Sequence, residues 1–461
     1  MHFRALIDKP YISGSSTSCM DLHLIPVVKK DVHILRVKTP EHRRVVLSLA
    51  SKGKEIVPSE ATCQLITLCD GTHTLKEIVS HFVEISGEDF SSIKLQVEKA
   101  LVGLAENEVI EFFEVPTPRK IPPEVELIHP LGQLYMEITN ACNLNCIHCY
   151  NDSEHKGKDE LTLEEIYHVI DEAKNLGVLR ITLSGGEPLV HPHFFEIAEY
   201  IRNHFLELEL FTNGTLVTKE VAEKLKDLAL LRVSVSLDSL NPEIHDYFRG
   251  RKGSWKKTME GIRNLEEEDI KIKPAIALSK LNLEEVIDLR KFLLERGFND
   301  YQLMPVFATR RNTPLDIGIT PEEYQKAIED VFMLEKDREI ESKSMARSKS
   351  SGEKTINCGI GTYSLVIKSD GGVIPCSAFG DEALLGNVKD QSLKEIWNNS
   401  SVLNRLRDLD ARNHPVCSAC NFLEHCRGGC MANVSLATGT LNVHDPYTCA
   451  YAKASRIAER K

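Results

Sequence analysis

A chain of 461 residues, 27% of them charged, with 13 cysteines and a formal net charge of −12, is long enough for two to four domains. The acidity argues against a binder of nucleic-acid phosphates, and no stretch approaches the roughly 18 uninterrupted apolar residues of a membrane span. The opening MHFRALIDKP has no apolar run of signal-peptide length, so the expectation is a cytoplasmic protein with reduced thiols rather than a disulfide scaffold.

In chain order, residues 31–50 (DVHILRVKTPEHRRVVLSLA) predict two short strands about a Thr39-Pro40 turn. Helical patterns follow over Glu60–Leu68, Leu75–Ile85 and Phe90–Glu106, and Val109–Val115 alternates enough for a further strand. Residues 22–116 are thus expected to form a winged-helix-like module, and the proline-rich VPTPRKIPPEVELIHP after it reads as a stiff linker.

From Leu134 the pattern changes to βα alternation, the signature of a parallel sheet. The expected strands are Leu134–Thr139, Arg180–Leu183, Glu207–Phe211, Leu231–Ser236, Lys271–Leu278 and Tyr301–Pro305. One intervening helix, Leu161–Leu176, opens on a Thr162/Glu165 capping box and closes at Gly177. Residues 130–310 are expected to be a partial (β/α)6 TIM-like barrel, and residues 311–354 a linker containing a helix and a mobile ESKSMARSKSSGEK run. Residues 355–455 make a third, cysteine-rich module, so the fold class is α/β with a small module at each end of the barrel; no solenoid repeat is present.

The chemistry is concentrated in the cysteines. Cys142, Cys146 and Cys149 lie in ITNACNLNCIHCY, directly after the first barrel strand. Three thiolates in one short loop can hold three irons of a 4Fe–4S cluster and leave the fourth iron open. A structural zinc loop is the competing reading, but it would close with a fourth Cys or His at short spacing, and His148 is cramped against Cys149. The next strands end in Ser184-Gly185-Gly186-Glu187-Pro188, Thr212-Asn213-Gly214 and Ser236-Leu237-Asp238-Ser239, where a barrel active site is expected. Each alone reads as a turn; in register behind a cysteine triad they read as a site.

These residues resemble the radical S-adenosylmethionine (SAM) enzymes. The cysteine loop matches that family's cluster motif and Gly185-Gly186-Glu187-Pro188 its SAM-binding loop. The resemblance implies that SAM chelates the open iron and that one-electron reduction gives a 5′-deoxyadenosyl radical, which abstracts a substrate hydrogen. It further implies that Gly185–Glu187 face the methionine amino group, Asn213 and Ser236 approach the ribose or carboxylate, His148 the adenine, and Arg249 the carboxylate. For Arg249, in HDYFRGRKGS, an exposed charge in a basic loop is the plain alternative.

The last module carries Cys358, Cys376, Cys417, Cys420, Cys426, Cys430 and Cys449. Two tetrahedral zincs would want eight ligands, and His414, His425 and His444 lie close enough that counting does not exclude zinc. The spacing nevertheless resembles the seven-cysteine SPASM extension of radical SAM barrels. That resemblance assigns Cys417, Cys420, Cys426 and Cys449 to one auxiliary cluster and Cys358, Cys376 and Cys430 to another, three 4Fe–4S clusters in all. The run from Cys358 to Ser364 holds no second cysteine, so one iron would await a water, a local oxygen ligand or a substrate thiolate.

In the first module, LITLCDGTHTLKEIVSHF resembles the PqqD-like element that grips leader sequences of ribosomally made peptides by strand addition, here against Phe90–Glu106. Cys63 and Cys69 are expected to pack in its core, and Cys19 has no partner in sight. The three-part order most resembles the subtilosin maturase and related sactisynthases, which join a peptide cysteine sulfur to an α-carbon. The resemblance implies a precursor-peptide partner and an electron donor such as a ferredoxin or flavodoxin. Two competitors remain: maturation of a small molecule or metallocofactor, haem-like or from a tungsten enzyme, and a zinc-containing winged-helix regulator.

Overall fold

A computed structural model describes residues 20–30, 32–38, 43–49, 54–56, 58–121, 125–126, 131–151, 153, 157, 159–204, 207–306, 317–337, 356, 358–438 and 444–460. The Thr39-Pro40 turn, Cys19 and the run 341–354 fall outside them. The chain divides into two compact units, with the main boundary at residues 130–131.

In the first unit, β1 (Ile25–Val28) pairs antiparallel with β5 (Ile110–Phe113). A second sheet has the order β4-β3-β2-β6, built from β2 (Val32–Lys38), β3 (Arg43–Leu49), β4 (Lys54–Ile56) and β6 (Val125–Glu126). Three helices follow β4: α1 (Glu60–Leu68), α2 (Leu75–Ser86) and α3 (Phe90–Glu106). Helix α2 starts on a Thr74/Glu77 capping box and ends at Gly87 in the left-handed region, so its ends are satisfied locally. Its buried face, Leu75, Ile78, Val79 and Phe82, has the one-stripe spacing that drives a short helix onto a core. Ile93, Val97, Leu101 and Leu104 of α3 meet it there, as does Cys69, while Cys63 packs at the edge. Both cysteines therefore serve the core, as expected. The described start of the proline-rich run is pinned to this unit: Thr117 N donates to Gly71 O at 2.9 Å, Arg119 N to Asp70 O at 2.7 Å, and the Arg119 guanidinium to Val28 O and Val32 O.

The second unit has one sheet of order β12-β11-β10-β9-β8-β7-β13-β14-β15. Strands β7 (Gln133–Glu137), β8 (Arg180–Ser184), β9 (Glu207–Thr212), β10 (Arg232–Ser236), β11 (Ile272–Leu278) and β12 (Gln302–Pro305) run parallel, each within two residues of its predicted span. Burial is almost continuous along β8, β9 and β10 and alternates along β11 and β12. The crossovers carry α4 (Leu163–Asn175), α5 (Phe194–Asn203), α6 (Lys219–Asp227), α7 (Pro242–Arg249), α8 (Ser254–Glu267) and α9 (Val286–Glu295). The predicted Thr162/Glu165 box opens α4, with Thr162 N at 2.7 Å from Glu165 Oε2.

The cysteine-rich end is joined to the barrel by pairing that the sequence does not announce. Strand β13 (Ser364–Ile367) lies parallel beside β7, with Ser364 opposite Gln133, and β14 (Gly372–Ile374) and β15 (Gly386–Asn387) continue antiparallel. Helix α10 (Pro321–Asp337) is held to α9 by a buried Arg290–Glu335 ion pair at 2.8 Å. Short helices α11 (Leu393–Asn399), α12 (Ser401–Arg407), α13 (Pro415–Ser418), α14 (Leu423–Cys426) and α15 (Met431–Thr438) lead to α16 (Pro446–Arg460). Tyr447 OH reaches Ile319 O at 2.7 Å and Phe332 meets Tyr451 edge-on, so α10 fixes α16 and with it Cys449. Among the described residues no helix is long and apolar enough to cross a membrane.

Candidate functional site

The loop of Cys142, Cys146 and Cys149 leaves the carboxyl end of β7, where parallel strands present reactive groups. It is clamped by the end of α7: Phe248 O accepts from Ile147 N at 3.0 Å and Arg249 O from Asn145 N at 3.2 Å. Gly250 follows in the left-handed region, and a Cβ there would sit 1.9 Å from Asn145 O. Each sulfur accepts a different donor, Leu144 N to Cys142 and Ser153 N to Cys149 at 3.4 Å, and Arg249 Nη1 to Cys146 at 3.8 Å. Burial pushes the Cys142 thiol up to about 12 against the opposing Leu144 N–H, and burial likewise raises Cys146 against the charge of Arg249. Unligated, these thiols keep their protons; an incoming metal must displace them.

The next loop is fastened to this one by backbone. Gly186 N donates to Thr139 O at 2.8 Å and Glu187 N to Ala141 O at 2.9 Å. A Cβ on Gly185 would lie 2.3 Å from Thr139 O and one on Gly186 2.2 Å from Ala141 O, so only glycine permits the approach. Gly185 and Gly186 are half-buried, whereas Glu187 and Pro188 are buried. The structure turns the Glu187 carboxylate inward: Oε1 accepts from Thr212 Oγ1 at 2.7 Å and Leu189 N at 3.3 Å, and Oε2 from Asn213 N at 2.8 Å. Burial lifts its pKa to about 7, outweighing these bonds and the charge of Arg249. Glu187 thus ties the end of β8 to the turn after β9. Asn213 is itself engaged, donating to Asn143 Oδ1 at 2.8 Å and accepting from Thr215. Ser236 lies half-buried at the end of β10.

The pairing of Asp238 with Arg249 is not foreseen from sequence, although each lies in a segment singled out there. Asp238 is fully buried, with Arg249 Nε at 2.7 Å but poorly aligned for a hydrogen bond, and Ala277 N donates to its Oδ1 at 3.1 Å. Burial raises Asp238, but the charge of Arg249, the neighbouring His148 and His245 and the Ala277 N–H together outweigh it and hold the carboxyl below its ordinary range. Arg249 is therefore an internal cation against Cys146 and Asp238, not an exposed loop charge. His148 packs edge-on to Phe248 with its Nδ1 buried and unpartnered, and burial lowers its pKa to about 4. An orphaned nitrogen on the same loop as three thiols, with the Gly185-Gly186 turn fastened to that loop's start, fits a site for a polar cofactor. Glu137, also unassigned from sequence, is buried at the end of β7 and accepts from Asn151 Nδ2 at 3.0 Å; burial raises it to about 7. A charged residue closing an otherwise buried strand is the signal that could have found Glu137.

The terminal cysteines gather into two sets. Cys430 interacts electrostatically with Cys358 and Cys376, and all three pack around Ile360, Phe379 and Met431. Cys417 interacts with Cys420 and Cys426, and Cys449 with Cys426 and Cys417. Burial raises Cys430 to about 12 and raises Cys417, while a thiol–thiolate bond from Cys449 holds Cys426 down at about 6. Among the described residues no three Cys, His, Asp or Glu side chains are gathered closely enough to hold a single metal ion. A cubane seats each thiolate on a different iron, so its ligands need not converge on one point.

Comparison with known proteins places these features in context. The Radical SAM superfamily profile matches residues 136–293, and the SPASM iron–sulfur cluster-binding domain matches residues 358–421. The chain is 34% identical over 337 residues to the AdoMet-dependent heme synthase of Methanosarcina barkeri, spanning 68% of this chain and 95% of that protein. It is 30% identical over 330 residues to the antilisterial bacteriocin subtilosin biosynthesis protein AlbA of Bacillus subtilis, spanning 70% and 71%. The crystal structure of Streptococcus suis SuiB bound to precursor peptide SuiA shares the fold over 92% of this chain and 99% of that one, with a TM-score of 0.66 at 16% identity.

Proposed function

This chain belongs to the radical SAM superfamily, with a SPASM iron–sulfur domain and dependence on SAM and 4Fe–4S clusters, and we propose that it matures a ribosomally made peptide. The bond we propose is a thioether from a peptide cysteine sulfur to the α-carbon of another residue. The observation that carries this reading is the first unit, whose sheet of order β4-β3-β2-β6 stands ahead of the barrel in a chain that shares its fold with SuiB almost end to end. As a PqqD-like element it would take a leader peptide as an added strand.

In this reading Cys142, Cys146 and Cys149 hold the SAM-binding cluster. The backbone of Gly185 and Gly186 and the side chains of His148, Asn213, Ser236 and Arg249 line the SAM site, with Glu187 and Pro188 shaping its loop. Reduced by one electron, bound SAM supplies a primary carbon radical strong enough to remove a hydrogen atom from carbon. Cys417, Cys420, Cys426 and Cys449 close one auxiliary site, and Cys358, Cys376 and Cys430 leave a position for the peptide thiolate. The balance is simple: the α-carbon loses a hydrogen atom, the thiol a proton, the S–C bond forms, and one electron leaves to replace the one consumed. SAM departs as methionine and 5′-deoxyadenosine. Within the chain, Glu187 and Asp238 hold loops and neutralise charge; neither takes a proton from substrate.

A second reading is modification of a haem-like small molecule, favoured by the higher identity to the heme synthase across nearly all of its length. The deciding experiment incubates anaerobically reconstituted protein with SAM, dithionite and, separately, a cysteine-containing precursor peptide encoded beside the gene or a carboxylated iron porphyrin. A peptide product lighter by two hydrogens, with 5′-deoxyadenosine formed in step, supports the thioether. Porphyrin side-chain loss with no change in the peptide supports the second reading and sinks the first.

A further inference from the structure

We propose that the buried carboxylate of Asp445 is shared by the two auxiliary cluster sites and holds down the reduction potential of both. The proposal rests on reading Cys358, Cys376, Cys430 and Cys417, Cys420, Cys426, Cys449 as cluster ligands.

Asp445 is only 1% exposed. Its Oδ2 accepts from the backbone N of Cys430 at 3.0 Å and from Thr448 Oγ1 at 2.5 Å, and its Oδ1 from Tyr447 N at 3.0 Å. Its carbonyl oxygen accepts from Cys449 N at 3.1 Å. One residue therefore touches a ligand of each set. The approach is tight, since a Cβ on Gly429 would lie 2.4 Å from the Asp445 Cβ. Among the described residues no lysine or arginine forms an ion pair with Asp445.

Reducing a cluster adds negative charge, and a fixed buried carboxylate nearby disfavours that. Taking the Cys430 N–H also denies it to a cluster sulfur, which acts in the same direction. The plain alternative is that Asp445 only caps α16, a role asparagine and serine fill about as well.

The test is a redox titration followed by electron paramagnetic resonance on the full-length, cluster-loaded protein and its D445N and D445S variants, with thermal unfolding beside it. The expected result is an upward shift of both auxiliary midpoint potentials, an unmoved potential for the SAM-binding cluster, and little change in unfolding temperature. Full iron content with auxiliary potentials unmoved or lowered in both variants overturns the proposal, as does a shift confined to one cluster. Unsubstituted protein holding only about four irons overturns the auxiliary-cluster reading and the proposal with it.

Discussion

Gly250 and Gly253 lie three residues apart, both in the left-handed region, with φ of 62° and 82°. An alanine at either position costs about 1–2 kcal/mol for its backbone alone. Their surroundings differ: a Cβ at Gly250 would sit 1.9 Å from Asn145 O and 2.7 Å from Asn145 C, whereas nothing lies within 4 Å of one at Gly253. The clash is with backbone of the loop bearing Cys146, so Gly250→Ala must displace that loop, at about 1–3 kcal/mol more. The expected outcome for Gly250→Ala is loss of about four irons of about twelve, with 5′-deoxyadenosine formation down at least tenfold. Gly253→Ala should lose only thermal stability, with iron and SAM cleavage kept. Iron analysis, 5′-deoxyadenosine yield and calorimetry on anaerobically prepared protein measure all three. Equal iron and equal cleavage in the two variants would refute the claim that α7 clamps the cluster loop.

Replacing Cys142, Cys146 and Cys149 together by alanine should abolish SAM cleavage and leave roughly eight irons, read by iron analysis and chromatography of the nucleoside product. Glu187 and Glu137 keep their protons to about pH 7 in the folded protein but only to 4.5 as ordinary carboxyls, so the folded state binds more protons across that window. Stability should therefore fall as pH rises through it, by up to about 3 kcal/mol for each group, and denaturant titrations should find the slope flatter in Glu187→Gln. Asp246 accepts from Gly253 N at 2.5 Å, Ser254 Oγ at 2.8 Å and Trp255 N at 2.8 Å, holding α8 to α7. Asp246→Ala should cost about 1–3 kcal/mol in the same titrations, because it leaves the buried Ser254 hydroxyl and two half-buried N–H groups without their acceptor.

The barrel was legible because each of β7–β12 is a short aliphatic run between helical stretches, and because chemistry-bearing residues punctuate the strand ends. The grouping of the terminal cysteines came from the resemblance to the SPASM extension, not from spacing alone. What spacing could not convey was partnership across the fold. Arg249 and Asp238 are read separately in sequence, one as approaching the SAM carboxylate with a loop charge as the alternative, and one as a turn residue; only the fold brings them to 2.7 Å. Glu187 was read with the loop that faces the cofactor, yet its carboxylate is spent on Thr212 and Asn213. Strands β13–β15 have two to four residues each, too few for periodicity to register, and their existence depends on the edge that β7 offers.

That edge has a consequence for biosynthesis. One side of β7 pairs with β8, which follows soon in the chain, but its other side finds β13 only after residues beyond Ser364 have been made. Throughout translation of the barrel, a row of unsatisfied amides and carbonyls stands open on the strand that leads into the cysteine loop, an invitation to pair with a neighbouring nascent chain. A gene truncated before β13 should yield insoluble protein rather than a trimmed enzyme. Completion of the sheet edge behind the Cys142–Cys149 loop is thereby deferred until the cysteine-rich end of the same polypeptide has emerged.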